Sequence, residues 1–446
     1  MALRSKTYRQ MHCYKVCCLL CLLFSASSQS VHAADTIIDA FRNGKFNLLL
    51  NYRFENVDDP TTVKDAYAST LRTALGYQPD RFYGFSGMVE LEDVRVIGNE
   101  LYNDGGANGK TRYAVVVDPE GFEINQAYLS FGLLKTVPVL QNTEVRAGRQ
   151  VITYRPAPFH RFVGPVVWRQ NWQTFDGVTV SNQSLENTNI RLGYIYNINR
   201  IFGEDNPVRG LHDKGVDGYL FNIQYDGISH GKLEAYSYLL DFDTTSTKPT
   251  EFYQSTQTYG ARYQGEQPLS NGLKLNYAIE AAHQTDFAQN PNHINSNYFL
   301  GELGASYAFN HFIQSVGLKI DYELLQGDGG VDRFTTPLAT QHPYQGWADK
   351  FLNTPGDGIE DIYVTFTIKV LEATFSAVYH DFNSDNDSYN YGSEINLLLT
   401  RAFGKHVSAG LKYADYNADR NVTNISRNPA LTNDINKFWA FISFQY

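Results

Sequence analysis

Apolar and polar side chains alternate with a period of two along most of this chain. Ile190, Leu192, Tyr194, Tyr196 and Ile198 fall on one face of an extended segment; Arg191, Asn197 and Asn199 fall on the other. Leu273, Leu275, Tyr277, Ile279 and Ala281 oppose Lys274, Asn276, Glu280 and Gln284 in the same way. The chain closes on Lys437–Tyr446, where Phe438, Ala440, Ile442, Phe444 and Tyr446 share a face against Lys437, Ser443 and Gln445. Trp439 and Phe441 are the exceptions there. A helical period fits such stretches poorly, so the pattern predicts strands. Eighteen segments qualify: 45–55, 65–77, 82–94, 123–132, 142–152, 172–183, 188–199, 216–226, 231–243, 255–266, 271–285, 295–308, 311–325, 359–369, 371–382, 389–401, 405–417 and 437–446.

The connections alternate too. Those after even-numbered strands are short: Gln78–Arg81, Ser184–Asn187, Gly227–His230, Gln267–Ser270, Phe309-Asn310 and Val370 alone. Those after odd-numbered strands run longer: Arg95–Phe122, Thr153–Asn171, Arg200–Gly215, Gln326–Gly358 and Ala418–Asn436. One rim of tight turns and one rim of long loops is the layout of an antiparallel up-and-down β-barrel across an outer membrane, with both termini on the periplasmic side. An apolar terminal strand agrees, because in an open sheet it would be a sticky edge, and closure removes the edge.

In such a barrel the apolar face meets lipid. An Arg or Lys at mid-depth on that face costs roughly 2–4 kcal/mol, so the charged face turns inward. That places Arg53, Arg72, Glu90, Glu92, Arg191, Arg262, Lys274, Glu280, Lys319, Asp321, Glu323, Lys369 and Lys412 as pore-lining candidates. Glu55, Glu234, Glu302, Glu372 and Glu394 share the inward parity, and acids outnumber bases there. Arg149 falls on the apolar parity, which leaves its direction open. Tyr77, Tyr83, Tyr225 and Tyr263, near strand ends, suit the aromatic girdles.

Eighteen strands enclose an aqueous channel unless loops plug it. Two loops rich in aromatics and prolines are candidates, Thr153–Asn171 and Gln326–Gly358. Arg155, Arg161, Trp168, Arg169, Trp347 and Lys350 would form a constriction if these loops fold inward, and a lid if they cover the mouth. His160 and His342 have no partner at ligand spacing and read as packing or surface residues, so no metal and no cofactor is expected.

Composition narrows the class. Tyr (31) and Phe (28) are abundant, yet mean hydropathy is negative, as expected where a lipid face alternates with a wet interior. The basic head Arg4, Lys6, Arg9 and Lys15, the apolar run Val16–Phe24 and the small residues around Val31-His32-Ala33 read as a signal peptide over 1–33. The mature chain, 34–446, is then a single barrel domain. All four cysteines lie in that leader, which excludes disulfides, cysteine metal sites and cysteine nucleophiles from the mature part. The formal charge of −10 disfavours nucleic acid, and removing the basic leader deepens it.

Several blocks are similar to the alginate export family: TLRTALGY from Thr70, GFSGMVE from Gly84, NQAYL from Asn125, Gly148-Arg-Gln150, Arg161-Phe-Val-Gly164 and WRQNWQTFD from Trp168. FTTPLAT from Phe334, GWADKFL from Gly346 and GIEDIY from Gly358 extend the likeness over most of the mature chain. The resemblance implies an eighteen-stranded outer-membrane porin that passes an anionic polysaccharide or sugar-like solute through a charged lumen, without catalysis or cofactor. Its partners would be outer-membrane lipid, the solute, and the barrel-assembly machinery engaged through the strand ending at Tyr446. A closed barrel with no polar seam on its lipid side is expected to be a monomer. Two other functions compete: a barrel enzyme, for which His380-Asp381 near Ser384 is the one suggestive cluster, and a surface adhesin or receptor using the long loops.

Overall fold

The computed structural model describes residues 34, 36–132, 137–207, 211–243 and 251–446. Residues 1–33, read as a signal peptide, lie outside them. The chain enters through a short helix, α1 (Ile37–Arg42), whose first turn is capped by the Thr36 hydroxyl accepting from Asp39 N. Eighteen strands follow: β1 (Lys45–Asp58), β2 (Ala66–Gln78), β3 (Phe85–Val96), β4 (Gly121–Gly132), β5 (Thr143–Gln150), β6 (Thr174–Asn182), β7 (Thr188–Asn199), β8 (Asp213–Ile228) and β9 (Gly231–Phe242) form the first half. The second half is β10 (Thr256–Ser270), β11 (Leu273–Asp286), β12 (Asn295–Ala308), β13 (Ile313–Leu325), β14 (Ile359–Val370), β15 (Ala373–Asn383), β16 (Asn390–Phe403), β17 (Val407–Ala418) and β18 (Ile435–Gln445). A second short helix, α2 (Val422–Arg427), lies in the loop before β18.

Every strand pairs antiparallel with its sequence neighbours, and β18 also pairs with β1, so the sheet closes. Leu50 stands opposite Phe444 and Tyr52 opposite Ile442 across that closure. The last strand therefore leaves no free edge.

Several turns shift at their edges from the reading of the sequence, and two of the shifts change what a residue does. Strand β10 continues through the stretch read as the turn Gln267–Ser270, with a register shift between Pro268 and Ser270, and reverses at Asn271-Gly272. Both turn residues have positive φ, +48° and +87°, which Asn-Gly supplies at low steric cost and which matches the twist of a two-residue hairpin. The β14–β15 hairpin likewise turns on Leu371-Glu372, not on Val370. Glu372 is thus an exposed turn residue and not part of the inward wall.

The outward face is apolar and open to lipid: Leu192, Ile279, Leu303, Leu318 and Ile442 are all exposed. The buried apolar cluster lies inside the barrel, where loop side chains meet inward residues of the strands near their long-loop ends. Phe162 packs on Tyr236, Tyr298 and Phe334, and Phe351 packs on Phe382 and Tyr391. The loops at 151–173 and 326–358 fold inward, and Val163 and Leu338 join them in a short parallel bridge.

Candidate pore and constriction

The inward loop between β5 and β6 carries three arginines, and each ends on wall carboxylates. Arg155 donates from Nη1 and Nη2 to Glu280 of β11 at 3.1 and 2.6 Å, and from Nε to Glu234 of β9 at 3.2 Å. Arg161 Nη2 lies 2.9 Å from Glu323 of β13, with neither side chain exposed. Its guanidinium also faces the rings of Tyr344 and Tyr298. Arg169 reaches Glu55 of β1 at 3.2 Å. A buried charge is tolerated only when paired, so the inward acids act as docking points for a basic loop. Burial alone would depress the Arg155 guanidinium, but Glu280 and Glu234 outweigh it and hold it well above its ordinary value. Arg161 and Arg169 are raised in the same way against burial, by Glu323 and by Glu55.

The second inward loop is locked onto the first. Gln173 donates to the carbonyls of Gly164 at 3.0 Å and Leu338 at 2.9 Å. Trp168 is stacked between two histidines, His160 at 5.7 Å and His342 at 4.9 Å between centroids. Lys412 Nζ donates to His342 Nε2 at 2.5 Å, which places the ring's proton on Nδ1, facing Asp349 at 2.5 Å. Burial lowers His342 to about 4, the Asp349 carboxylate opposing that and Lys412 adding to it. Burial also lowers His160 to about 4. Asp349 in turn meets Lys437 at 2.8 Å and Arg169 at 3.4 Å. Burial would raise Asp349, but His342, Lys437 and Arg169 hold it well below the usual carboxylate range.

The remaining candidates divide by height and partner. Arg72 and Glu92 form a buried pair at 2.5 Å, with the Trp172 ring 3.8 Å over the guanidinium. Arg53 bonds to Trp168 O and Asp118. Arg262 bridges Glu280 at 3.0 Å and Glu302, and Lys319 meets Asp321 at 2.8 Å and Glu302 at 3.2 Å. Glu90 accepts from Asn125 and Gln126, and Arg191 donates to Asn222 at 2.6 Å. Lys274 pairs with Glu266, and Lys369 with Glu372, both near the short turns and well exposed. Lys350 lies over Tyr416 at 5.4 Å, and Trp347 N donates to Asn396. Arg149, left open by parity, bonds to Asp176 at 3.0 Å and to Glu204 at the loop rim.

Two acids that tie the site together escaped the sequence reading. Asp118, in the β3–β4 loop, accepts from Arg53 and from Gln170 N. Asp349 gathers His342, Arg169 and Lys437. Both lie in loops, where no period marks direction, and their partners are remote in sequence.

On the short-turn side of the inward loops lies a cavity of about 700 Å³. Arg53, Arg169, Lys319 and Lys412 line it, against a single carboxylate, Glu302. Much of the rest is aromatic or apolar, including Trp168, Trp347, Trp439 and Phe441.

The family model for alginate export matches residues 50–388. No curated protein matches the sequence. Among solved structures, OccD3 (OpdP) of Pseudomonas aeruginosa is similar with a TM-score of 0.63 and 13% identity, over 94% of this chain and 95% of that one. OccAB2 of Acinetobacter baumannii gives 0.69 and 13%, over 92% and 99%. OccK1 (OpdK) of Pseudomonas aeruginosa gives 0.66 and 10%, over 91% and 99%. At such identities these likenesses speak to the fold.

Proposed function

The chain belongs to the alginate export family and is an outer-membrane channel for hydrophilic solutes, and we propose that its lumen selects anions of the acidic-sugar kind. The observation that carries this reading is the cavity, with four cationic side chains and one carboxylate on its wall. The inward acids that outnumber bases along the strands are largely occupied: Glu55, Glu234, Glu280 and Glu323 each hold a loop arginine. Three of the four wall cations meet carboxylates, Arg53 with Asp118, Arg169 with Glu55 and Lys319 with Asp321, which leaves Lys412 as the unmatched charge among the described residues, and an unmatched positive charge at a constriction favours anions.

Arg53, Arg262, Lys319 and Lys412 act as pore-lining charges in this reading, and Trp168, Arg169, Trp347 and Lys350 act as the constriction. Lys274 and Lys369 stand at the periplasmic entrance. The barrel works as a monomer, and assembly begins from its terminal strand. No catalytic role is assigned. His380 pairs with Asp361 at 2.9 Å, while Ser384 donates to Asn386 O and accepts from Tyr389 N, as a turn residue does. The hydroxyl and the imidazole are therefore engaged separately.

Reversal potentials across a planar bilayer in a salt gradient test the reading. The full mature chain should favour anions, and Lys412→Glu with Lys319→Glu should lower the anion-to-cation permeability ratio. A cation preference in the unaltered protein overturns it.

A further inference from the structure

The short helix α1 is held where its apolar side has no protein to cover it. Ile37 and Ile38 precede Phe41 by four and three residues, so the three side chains share one face. They are 58, 60 and 58% exposed. The backbone beneath them is fixed to the barrel. Asp80 N donates to the Ala40 carbonyl at 2.9 Å, and the Tyr77 hydroxyl donates to the Phe41 carbonyl. Ala40 is buried. The helix therefore packs its smallest side chain inward and presents three large apolar ones outward.

Outward here means toward the lipid side. Phe46 of β1 and Tyr77 of β2 stand directly opposite each other in register. Phe46 has the parity of Leu50 and Tyr52, which meet Phe444 and Ile442 on the lipid face of the closing strand. The Tyr77 ring lies 4.8 Å from that of Phe46 and is stacked with that of Phe41 at 6.4 Å, between centroids. A Cβ on Gly44 would run into the Tyr77 ring, so the glycine lets the chain pass close and fold the helix back onto it. The height is that of the short turns, since Asp80 belongs to the β2–β3 turn. That turn carries the exposed Tyr83, and two other short turns carry the exposed Phe312 and Leu371. Turns standing in water favour Gly, Asn, Asp and Ser instead. Arg42 follows Ile38 by four residues, borders the apolar face and is exposed.

We propose that α1 lies in the periplasmic leaflet of the outer membrane as an interfacial anchor. Ile37, Ile38 and Phe41 enter the boundary between headgroups and acyl chains, and Arg42 extends to the phosphates, as a basic residue at the edge of such a face does. The occupant is phospholipid and not a protein, because the apolar patch has no edge of its own. It runs through Tyr77 and Phe46 into a wall that acyl chains already cover. The bonds from Asp80 and Tyr77 set the position of the helix, and its apolar face fits what the leaflet offers at that depth. The anchor is independent of which solute the lumen passes.

No cysteine lies between residues 34 and 446, so single-cysteine variants place a probe at one site. Ile37→Cys, Ile38→Cys and Asp39→Cys of the full mature chain, each labelled with bimane and folded into dioleoylphosphatidylcholine vesicles, test the anchor. Two quenchers are compared: iodide on both sides of the bilayer, and phosphatidylcholine carrying a nitroxide near the headgroup end of one acyl chain. At residues 37 and 38 the nitroxide lipid is expected to quench at least about twofold more strongly than at residue 39, and iodide at least about twofold less. Two apolar positions keep the comparison decisive if one variant fails to fold. Iodide quenching at residues 37 and 38 equal to that at residue 39, without quenching by the nitroxide lipid, overturns the proposal and points to a soluble periplasmic partner as the cover. Nitroxide quenching alike at all three positions also overturns it, because the helix would then present no oriented face to the leaflet.

Discussion

Arg155 and Glu280 meet in a two-pronged pair, two guanidinium nitrogens on two carboxylate oxygens at 3.1 and 2.6 Å, between an inward loop and the wall of β11. The pair shows how a barrel with a surplus of inward acids holds a basic loop inside its wall. Glu280 also receives Arg262 and the Tyr236 hydroxyl, so its lone pairs are filled from three directions. Fork-to-fork geometry of this kind fixes direction as well as distance.

Removing one member should therefore cost more than removing both. Glu280→Gln leaves Arg155 buried with Glu234 as its remaining carboxylate, and a loss of about 3–5 kcal/mol is expected. The readout is the urea midpoint of the detergent-folded barrel. The double change Arg155→Met with Glu280→Met should recover much of the loss. An unchanged midpoint in the single variant would show that the pair contributes nothing to holding the loop.

The lipid face offers a contrasting test. Ile279 neighbours Glu280 on β11 but points outward and is exposed. Ile279→Arg should destabilise the folded barrel in lipid vesicles by about 2–4 kcal/mol. The same change should matter far less in a detergent micelle thin enough for the side chain to reach water. Equal tolerance in a thick bilayer would mean that this face does not meet acyl chains.

Acid should loosen the second loop. Burial depresses His342 to about 4 in the folded protein, against about 6.5 in an unfolded chain. Between these values the detached loop binds more protons, so attachment strengthens as pH rises and weakens as pH falls from about 6.5 to about 4. Asp349, held far below its ordinary range, stays ionised through that window and does not drive the change. Protection factors of the amides across residues 326–358, with the pH dependence of intrinsic exchange divided out, should therefore fall on acidification, and His342→Gln should flatten the dependence. A pH-independent profile in the unaltered protein counts against this role.

One amide ties the two loops together at their parallel bridge. Gln173 supplies donors to the carbonyls of Gly164 and Leu338. Gln173→Ala leaves both buried acceptors without it, at a cost of about 1–3 kcal/mol. Exchange should rise at the loop contacts around Gly164, whose N–H donates to Leu338 O, while the strands stay protected. Global destabilisation without a local signature would mean that the joint is not a separate unit.

The strand pattern was legible because a barrel wall repeats one rule at every step. Lipid on one side and water on the other force a period of two, and a reversed register would put Lys412 or Glu280 into acyl chains. That rule placed all eighteen strands, the closing strand at Tyr446 and the direction of the wall charges. Even the two oddities of the last strand obey it, since Trp439 and Phe441 follow the inward parity and line the cavity. The turn at Asn271-Gly272 was misplaced because Pro268 looks like a breaker in sequence, whereas it stays in register opposite Lys274 and the bulge comes just after it.

The loops obey no period, and there the sequence by itself was silent. It named Arg155, Arg161 and Arg169 as loop charges but left open whether they narrow the lumen or cover its mouth. Only the folded barrel decided this, because Glu234, Glu280, Glu323 and Glu55 come from four different strands and face one loop only after closure. The same closure brings Asp349 to Lys437 and Lys412 to His342, pairs that lie far apart in sequence. Alternation along a strand is set by its two solvents and needs no partner, whereas the charge of a constriction depends on which residues cancel, and that is fixed only in three dimensions.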